Sequence, residues 1–197
     1  MNSSCAGPGR PRDPEVDSAI LNAVGEMLTE RGFGGLAMEQ VAERAGVSKA
    51  SVYRRFANRS ELLEAACAEF APALPETPDT GSTNEDLVEL LVLMAEAMSE
   101  PSAGGPLPAI LAAAGSHPEA RDALRRFSDN RRKPMTEVID RGRARGDVDP
   151  ALDGELVADL LAGAVLFRSL VRGDEISEKR LRRYVEMLDL EPDSHSS

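Results

Sequence analysis

Apolar positions recur every three or four residues through most of the chain, and no stretch shows the period of two that a half-buried strand requires. The pattern predicts an all-α fold of about nine helices. The first runs from Pro14 to about Arg31, with Val16, Ile20, Ala23, Val24, Met27 and Leu28 at helical spacing. Asp13 is its N-cap, Pro14 suits its first turn, and Gly32 supplies the left-handed residue after its last one. A short helix from about Ala37 to Ala45 stops at Gly46, and another begins at Ser48. Asn58 and Glu61 form a capping box for a fourth helix that fades at Ala71. Residues 72–83 are rich in Pro and Thr and read as a connector. Ser82 and Glu85 make a second capping box, opening a helix that ends near Ser99. Further helices follow at about Leu107–Ala114, Pro118–Arg145 and Asp153–Val171, and Ser177 caps the last, which carries Leu181, Tyr184, Val185 and Leu188. Pro134 inside Pro118–Arg145 is expected to kink or split that helix. The chain thus divides into an arm (1–13), a small head (14–72) and a larger body (73–197).

Composition fits this picture. Hydrophobic residues make up 42% of the 197 residues, Trp is absent and aromatics reach only 4%, so the core rests on Leu, Val, Ala and Met. A net charge of −11 speaks at first against nucleic acid. Its distribution reverses that: residues 1–59 carry a net charge of +1 and the remainder −12. Between Arg44 and Arg59 stand five basic residues, Arg44, Lys49, Arg54, Arg55 and Arg59, and no acid. A local basic strip is the electrostatic footprint of a nucleic-acid binder, whatever the global sum. The two cysteines, Cys5 and Cys67, form neither a disulfide framework nor a zinc cluster, which fits a cytoplasmic protein. No basic-then-apolar leader and no run of about eighteen apolar residues is present, so no membrane span is expected. The two histidines, His117 and His195, have no neighbours that would complete a triad or a metal site. No enzymatic activity, metal or cofactor is expected.

The stretch MEQVAERAGVSKASVYRRF, residues 38–56, reads as helix, Gly-containing turn, helix, the grammar of a helix-turn-helix DNA reader. Val41, Ala42 and Ala45 give the first helix an inner face, and Val52 and Phe56 do the same for the second. Ala50, Ser51 and Arg54 then point outward, flanked by Lys49, Tyr53 and Arg55. Small residues let the helix approach a major groove, where Lys49 reaches guanine O6 and N7 and Ala50 touches a thymine methyl. Ser48, Ser51, Tyr53, Arg54, Arg55 and Arg59 are candidates to hold phosphates and set register. The N-termini of the short helices add positive dipole ends.

From Glu15 to about Phe70 the chain resembles the N-terminal domain of tetracycline-repressor (TetR) type regulators. The resemblance rests on ILNAVGEMLTERGF and on VAERAGVSKASVYRRFANRSELL, where AGVSKASVYRRF followed directly by NRSELL is specific. It implies a homodimer whose two heads read a palindromic operator in double-stranded DNA. It also implies a C-terminal domain that binds a small-molecule effector and sets the spacing of the heads. Ala37 departs from the family's usual Thr or Ser cap, Glu39 is acidic where DNA is expected, Gly25 lies inside the first helix, and Arg59 replaces a Lys. In the arm, Gly9-Arg10-Pro11-Arg12 resembles the core of an AT-hook, which puts Arg10 and Arg12 in a minor groove.

In the body, Leu160, Leu161, Val165 and Tyr184 on the last two helices are the expected dimer contacts, forming a four-helix bundle across a two-fold axis. Met94, Met98, Leu111 and Phe127 are candidates to line the effector cavity, methionine being adaptable to varied ligands. The acidic body would favour a cationic effector. The competing reading is a ligand-binding adaptor, or a redox sensor using Cys67, that never touches DNA; a steep fall of duplex affinity with added salt separates the two.

Overall fold

Helix α1 (Pro14–Arg31) opens as its sequence dictates: the Asp13 carboxylate accepts from the Glu15 N–H at 3.2 Å, and Pro14 occupies the first turn. The computed structural model describes residues 13–71, 76–99 and 105–192, and every helix named below lies within them. A 3-10 turn (Phe33–Gly35) leads to α2 (Met38–Arg44), α3 (Lys49–Arg55) and α4 (Arg59–Phe70). Asn58 accepts from the Glu61 N–H at 2.9 Å, while the Glu61 carboxylate reaches back to the Ala57 N–H at 2.8 Å. That is the expected capping box, its return bond falling one residue earlier than the cap itself.

The body comprises α5 (Thr83–Ser99), α6 (Leu107–Ala113), α7 (Pro118–Arg145), α8 (Gly154–Leu166) and α9 (Glu178–Glu186). Among the described residues all regular structure is helical, and the fold is all-α as the periodicity predicts. Three details differ from the sequence reading. Helix α7 is not split at Pro134: it runs 28 residues through the proline, which is buried against the body. Helix α8 ends at Leu166 and widens into a π-helical turn over Phe167–Arg172, closed by left-handed Gly173. Ser177 occupies the N-cap position of α9 without making a side-chain capping bond.

Two hydrophobic clusters hold the molecule. The first joins Ile20, Val24, Met27 and Leu28 of α1 to Val41, Val52, Leu62 and Leu63, and extends to Ile110 of α6 and Ala120 and Ala123 of α7. The second joins Leu87 and Leu91 of α5, Val138 and Ile139 of α7, Val157, Leu161 and Val165 of α8, and Leu181 and Val185 of α9. Helix α7 is therefore a beam shared by both: its first half packs with the head, its second with the body. At its far end the fully buried Asp86 accepts from Thr80 at 2.6 Å and 2.7 Å and faces Arg141 at 3.6 Å, pinning the start of α5 to α7.

Gly25 owes its place in α1 to a close approach. A Cβ there would stand 2.6 Å from the ring of Phe70, the last residue of α4. The helix-propensity cost of that glycine, up to about 1 kcal/mol, is the condition for α1 and α4 to meet through an aromatic ring.

Candidate nucleic-acid interface and effector cavity

The turn between α2 and α3 requires Gly46, whose φ is +66°, and the Val47 N–H donates to Ala42 O at 3.0 Å to close it. Ser48 caps α3: its hydroxyl accepts from the Ser51 N–H at 3.1 Å. Val52 is fully buried and Phe56 half-buried, so the back of α3 is anchored on α1 and α2. Ser48, Lys49, Ala50, Tyr53 and Arg54 are exposed, and Ser51 is half-buried at the edge of the same face. Tyr53 is 43% exposed, and the Lys49 ammonium lies 5.7 Å from its ring centroid.

The basic strip is less cationic than it reads. Arg55 points inward, its side chain 8% exposed, and forms an ion pair with Asp17 of α1. Arg59 also turns away from the outer face: it donates to Phe33 O at 2.6 Å and stacks 4.0 Å over the Phe33 ring. Arg55 and Arg59, both expected as phosphate contacts, are thus each engaged within the head in the single protomer. Arg44 is likewise held by Glu26 at 3.0 Å and Glu30 at 2.6 Å. Lys49 pairs with Glu39 of α2; the hydrogen bond from Lys49 keeps the Glu39 carboxyl below its usual range. Ala37, at the N-cap of α2, makes no side-chain capping bond, as its lack of a hydroxyl dictates. Arg10 and Arg12 lie outside the described residues.

The Lys49–Glu39 pair gives a test. Glu39→Gln is expected to release Lys49, raise affinity for duplex DNA roughly three- to ten-fold, and steepen the log–log salt dependence by about one. Fluorescence anisotropy across a salt series measures both; unchanged affinity and slope would show that the freed Lys49 brings no charge to the duplex.

On the body side, a cavity of about 320 Å³ opens between α4, α5, α6, α7 and α8. All four expected residues, Met94, Met98, Leu111 and Phe127, line it. The sequence reading missed Phe70 and Arg131, which line it too. Phe70 gave no signal because its role depends on touching Gly25, and Arg131 sits in a charged run that reads as solvated surface. Burial pushes the Cys67 thiol, also in the wall, up to about 12, so it stays protonated and unreactive at neutral pH. His117 is structural in its contacts, its ring 4.5 Å from that of Phe33.

The expected dimer contacts divide. Leu161 and Val165 face the protomer's own core, 2% and 0% exposed, and so cannot meet a partner. Leu160, one residue away, is 52% exposed, and Tyr184 is half-buried. From α8 to just past α9, the other large apolar side chains left exposed are Leu156, Phe167, Leu170, Val171 and Met187; Leu93 of α5 and Leu111 of α6 are exposed elsewhere. Among the described residues no helix is long and apolar enough to cross a membrane, and no group of His, Cys, Asp and Glu could hold a metal ion.

Comparison with known proteins gives concordant results. The family model "Bacterial regulatory proteins, tetR family" matches residues 20–66, and "Tetracyclin repressor-like, C-terminal domain" matches residues 77–188. An uncharacterized HTH-type transcriptional regulator of Bacillus subtilis, YdeS, is 32% identical over 90% of this chain and 89% of its own length. The DNA-binding transcriptional repressor TetR of Mycobacteroides abscessus is 32% identical over 87% of this chain and 91% of its own. Among solved structures, the TetR family transcription regulator SCO0332 superposes with a TM-score of 0.65 at 28% identity, covering 90% of this chain and all of that one. A helix-turn-helix head with an outward-facing α3, joined through a shared helix to a body enclosing an apolar cavity, together with matches over both halves, makes the chain a member of the TetR family of DNA-binding transcriptional regulators.

Proposed function

We propose that the protein is a homodimeric transcriptional repressor that reads a palindromic operator through α3 and is released when a small molecule enters the cavity of the body. The observation that carries the reading half is the two-sidedness of α3: Val52 is fully buried behind, while Lys49, Tyr53 and Arg54 stand exposed in front. Lys49 and Ala50 are then the base-reading residues, and Ser48, Ser51, Tyr53 and Arg54 the phosphate contacts. The repressor named above, from Mycobacteroides abscessus, favours repression over activation.

Dimerisation uses the outward stripe of α8 and the turn after it. Leu156 and Leu160 stand one helical turn apart on α8, Phe167, Leu170 and Val171 follow in the turn after it, Met187 stands just past α9, and each is left exposed in the single protomer. A contiguous apolar face of this kind is costly in water unless a partner covers it. A two-fold axis through it buries the same residues on both copies.

Release follows from Phe70. Its ring lines the cavity and touches α1 at Gly25, so a ligand that displaces it pushes directly on the head. Two heads must match major grooves about 34 Å apart on one face of the duplex, and a small rotation of each is multiplied across the dimer.

Selection of DNA fragments by the purified protein tests the reading half. The expected product is an inverted repeat with half-site centres one helical turn apart. Tyr53→Ala should lose that binding while eluting as the same dimer. Wild-type affinity in that variant, or selected sites without symmetry, would refute the assignment.

A further inference from the structure

We propose that in the dimer the two copies of α8 cross at Gly163, the two-fold axis passing beside this residue so that its backbone meets the same backbone of the second copy. This rests on the reading of the outward face of α8 as the dimer interface and names the point at which the copies meet.

Among the described residues four glycines lie within α-helices: Gly25, Gly142, Gly154 and Gly163. Three of them are explained inside the protomer. A Cβ would stand 2.6 Å from the Phe70 ring at Gly25 and 3.2 Å from Ile139 at Gly154, and at Gly142 it would collide with the Thr83 hydroxyl. At Gly163 nothing lies within 4 Å. Its backbone is ordinary helix, so no left-handed angle demands a glycine there either. Glycine is among the residues least favourable to a helix interior, and at this position nothing in the protomer offsets that cost.

Its place in α8 supplies the missing neighbour. Gly163 is exposed and stands at the midpoint of the helical rod that α8 and its π-helical turn form from Gly154 to Arg172. Leu156, Leu160, Gly163 and Phe167 succeed one another at helical spacing and share one face. The three bulky members of that face are each more than half exposed, so they flank a gap that carries no side chain. A second copy of the same face fits it. A residue beside a two-fold axis meets its own equivalent, and glycine on both sides lets the two backbones approach closely. Leu160 and Phe167 then pack across the crossing on either side, as ridges into grooves. A crossing at the midpoint leaves equal lengths of rod on each side of it. Ala162 and Leu166, on the neighbouring side of the same turns, line the cavity. Ligand and second copy therefore bear on adjacent faces of one helix.

Three variants of the full-length protein test the crossing. Gly163→Leu adds a side chain that starts in open space in the protomer but stands between the two helices in the dimer. Sedimentation equilibrium is expected to show a dimer dissociation constant raised about ten-fold or more, with helix content by circular dichroism unchanged. Gly163→Cys, in a Cys5→Ser background, is expected to cross-link the dimer on mild oxidation, because a disulfide needs Cα atoms within about 7 Å. Leu156→Cys in the same background is the control; about 10 Å along the helix from the crossing, it should stay largely uncross-linked. Cys67 is buried and is left in place. A wild-type dissociation constant in Gly163→Leu, or no more cross-linking at Gly163→Cys than at Leu156→Cys, would each overturn the proposal. If Gly163→Leu does not fold, the two thiol variants decide. The reading beneath fails differently. A wild-type protein that sediments as a monomer refutes dimer and crossing together, whereas a wild-type dimer that tolerates Gly163→Leu refutes the crossing alone.

Discussion

Leu160→Glu is expected to convert the protein from dimer to monomer and to weaken operator binding at least about 100-fold, the gain that tethering two heads provides. In the protomer Leu160 is 52% exposed, so the substitution leaves the protomer's own packing intact; its cost falls on a partner surface, where a carboxylate would be buried against leucine and phenylalanine. Leu161→Ala, one residue on, should do the opposite. Leu161 is 2% exposed, and its truncation leaves a cavity in the body's core worth about 2–5 kcal/mol. Light scattering reads the first effect and a denaturant melt the second. A Leu160→Glu protein that keeps the mass of a dimer would show that the exposed stripe of α8 is not the interface.

Asp17→Ala should be the most damaging single change in the head. It leaves the Arg55 guanidinium, 8% exposed, without its carboxylate. Breaking a fully buried ion pair costs about 3–5 kcal/mol; because Asp17 is 33% exposed, water reaches the vacated site, and about 2–3 kcal/mol is the expected loss. The double variant Asp17→Asn with Arg55→Met removes the charge as well as its partner and should recover most of that stability. It also tests the reassignment of Arg55. If the double variant folds normally and binds operator like the wild type, Arg55 is a strut between α3 and α1. If it folds but loses operator affinity as a lost phosphate contact would, Arg55 belongs on the DNA face after all.

These two residues mark where local reading of the sequence ends. Helix positions were legible because periodicity and capping are local: Asp13, Asn58 and Gly32 mark boundaries through bonds spanning a few residues. The outer face of α3 was legible too, since Val52 and Phe56 fix its back. The destinations of Arg55 and Arg59 were not, because their partners lie 38 and 26 residues earlier and are brought close only by packing of the head. The cavity was half-legible. Its methionines stand out by type, but Arg131 shares a run with Arg125, Arg126 and Arg132 in which nothing local marks the one turned inward. On α8 the difficulty was different. Leucine occupies both faces, so hydrophobicity could not decide whether Leu160 or Leu161 faces the core. Only the phase set by Val157 and Val165 in the folded body does that.

The pairing of Arg44, Lys49 and Arg55 with carboxylates within the head has a consequence for how the protein finds its operator. Among the described residues few cations of the head are left to hold it to arbitrary sequence, and the net negative charge of the body opposes close approach to the duplex. Weak affinity for non-operator DNA is the expected consequence, since that affinity comes from phosphate neutralisation. Operator occupancy would then follow copy number closely, with little of the protein held on bulk DNA.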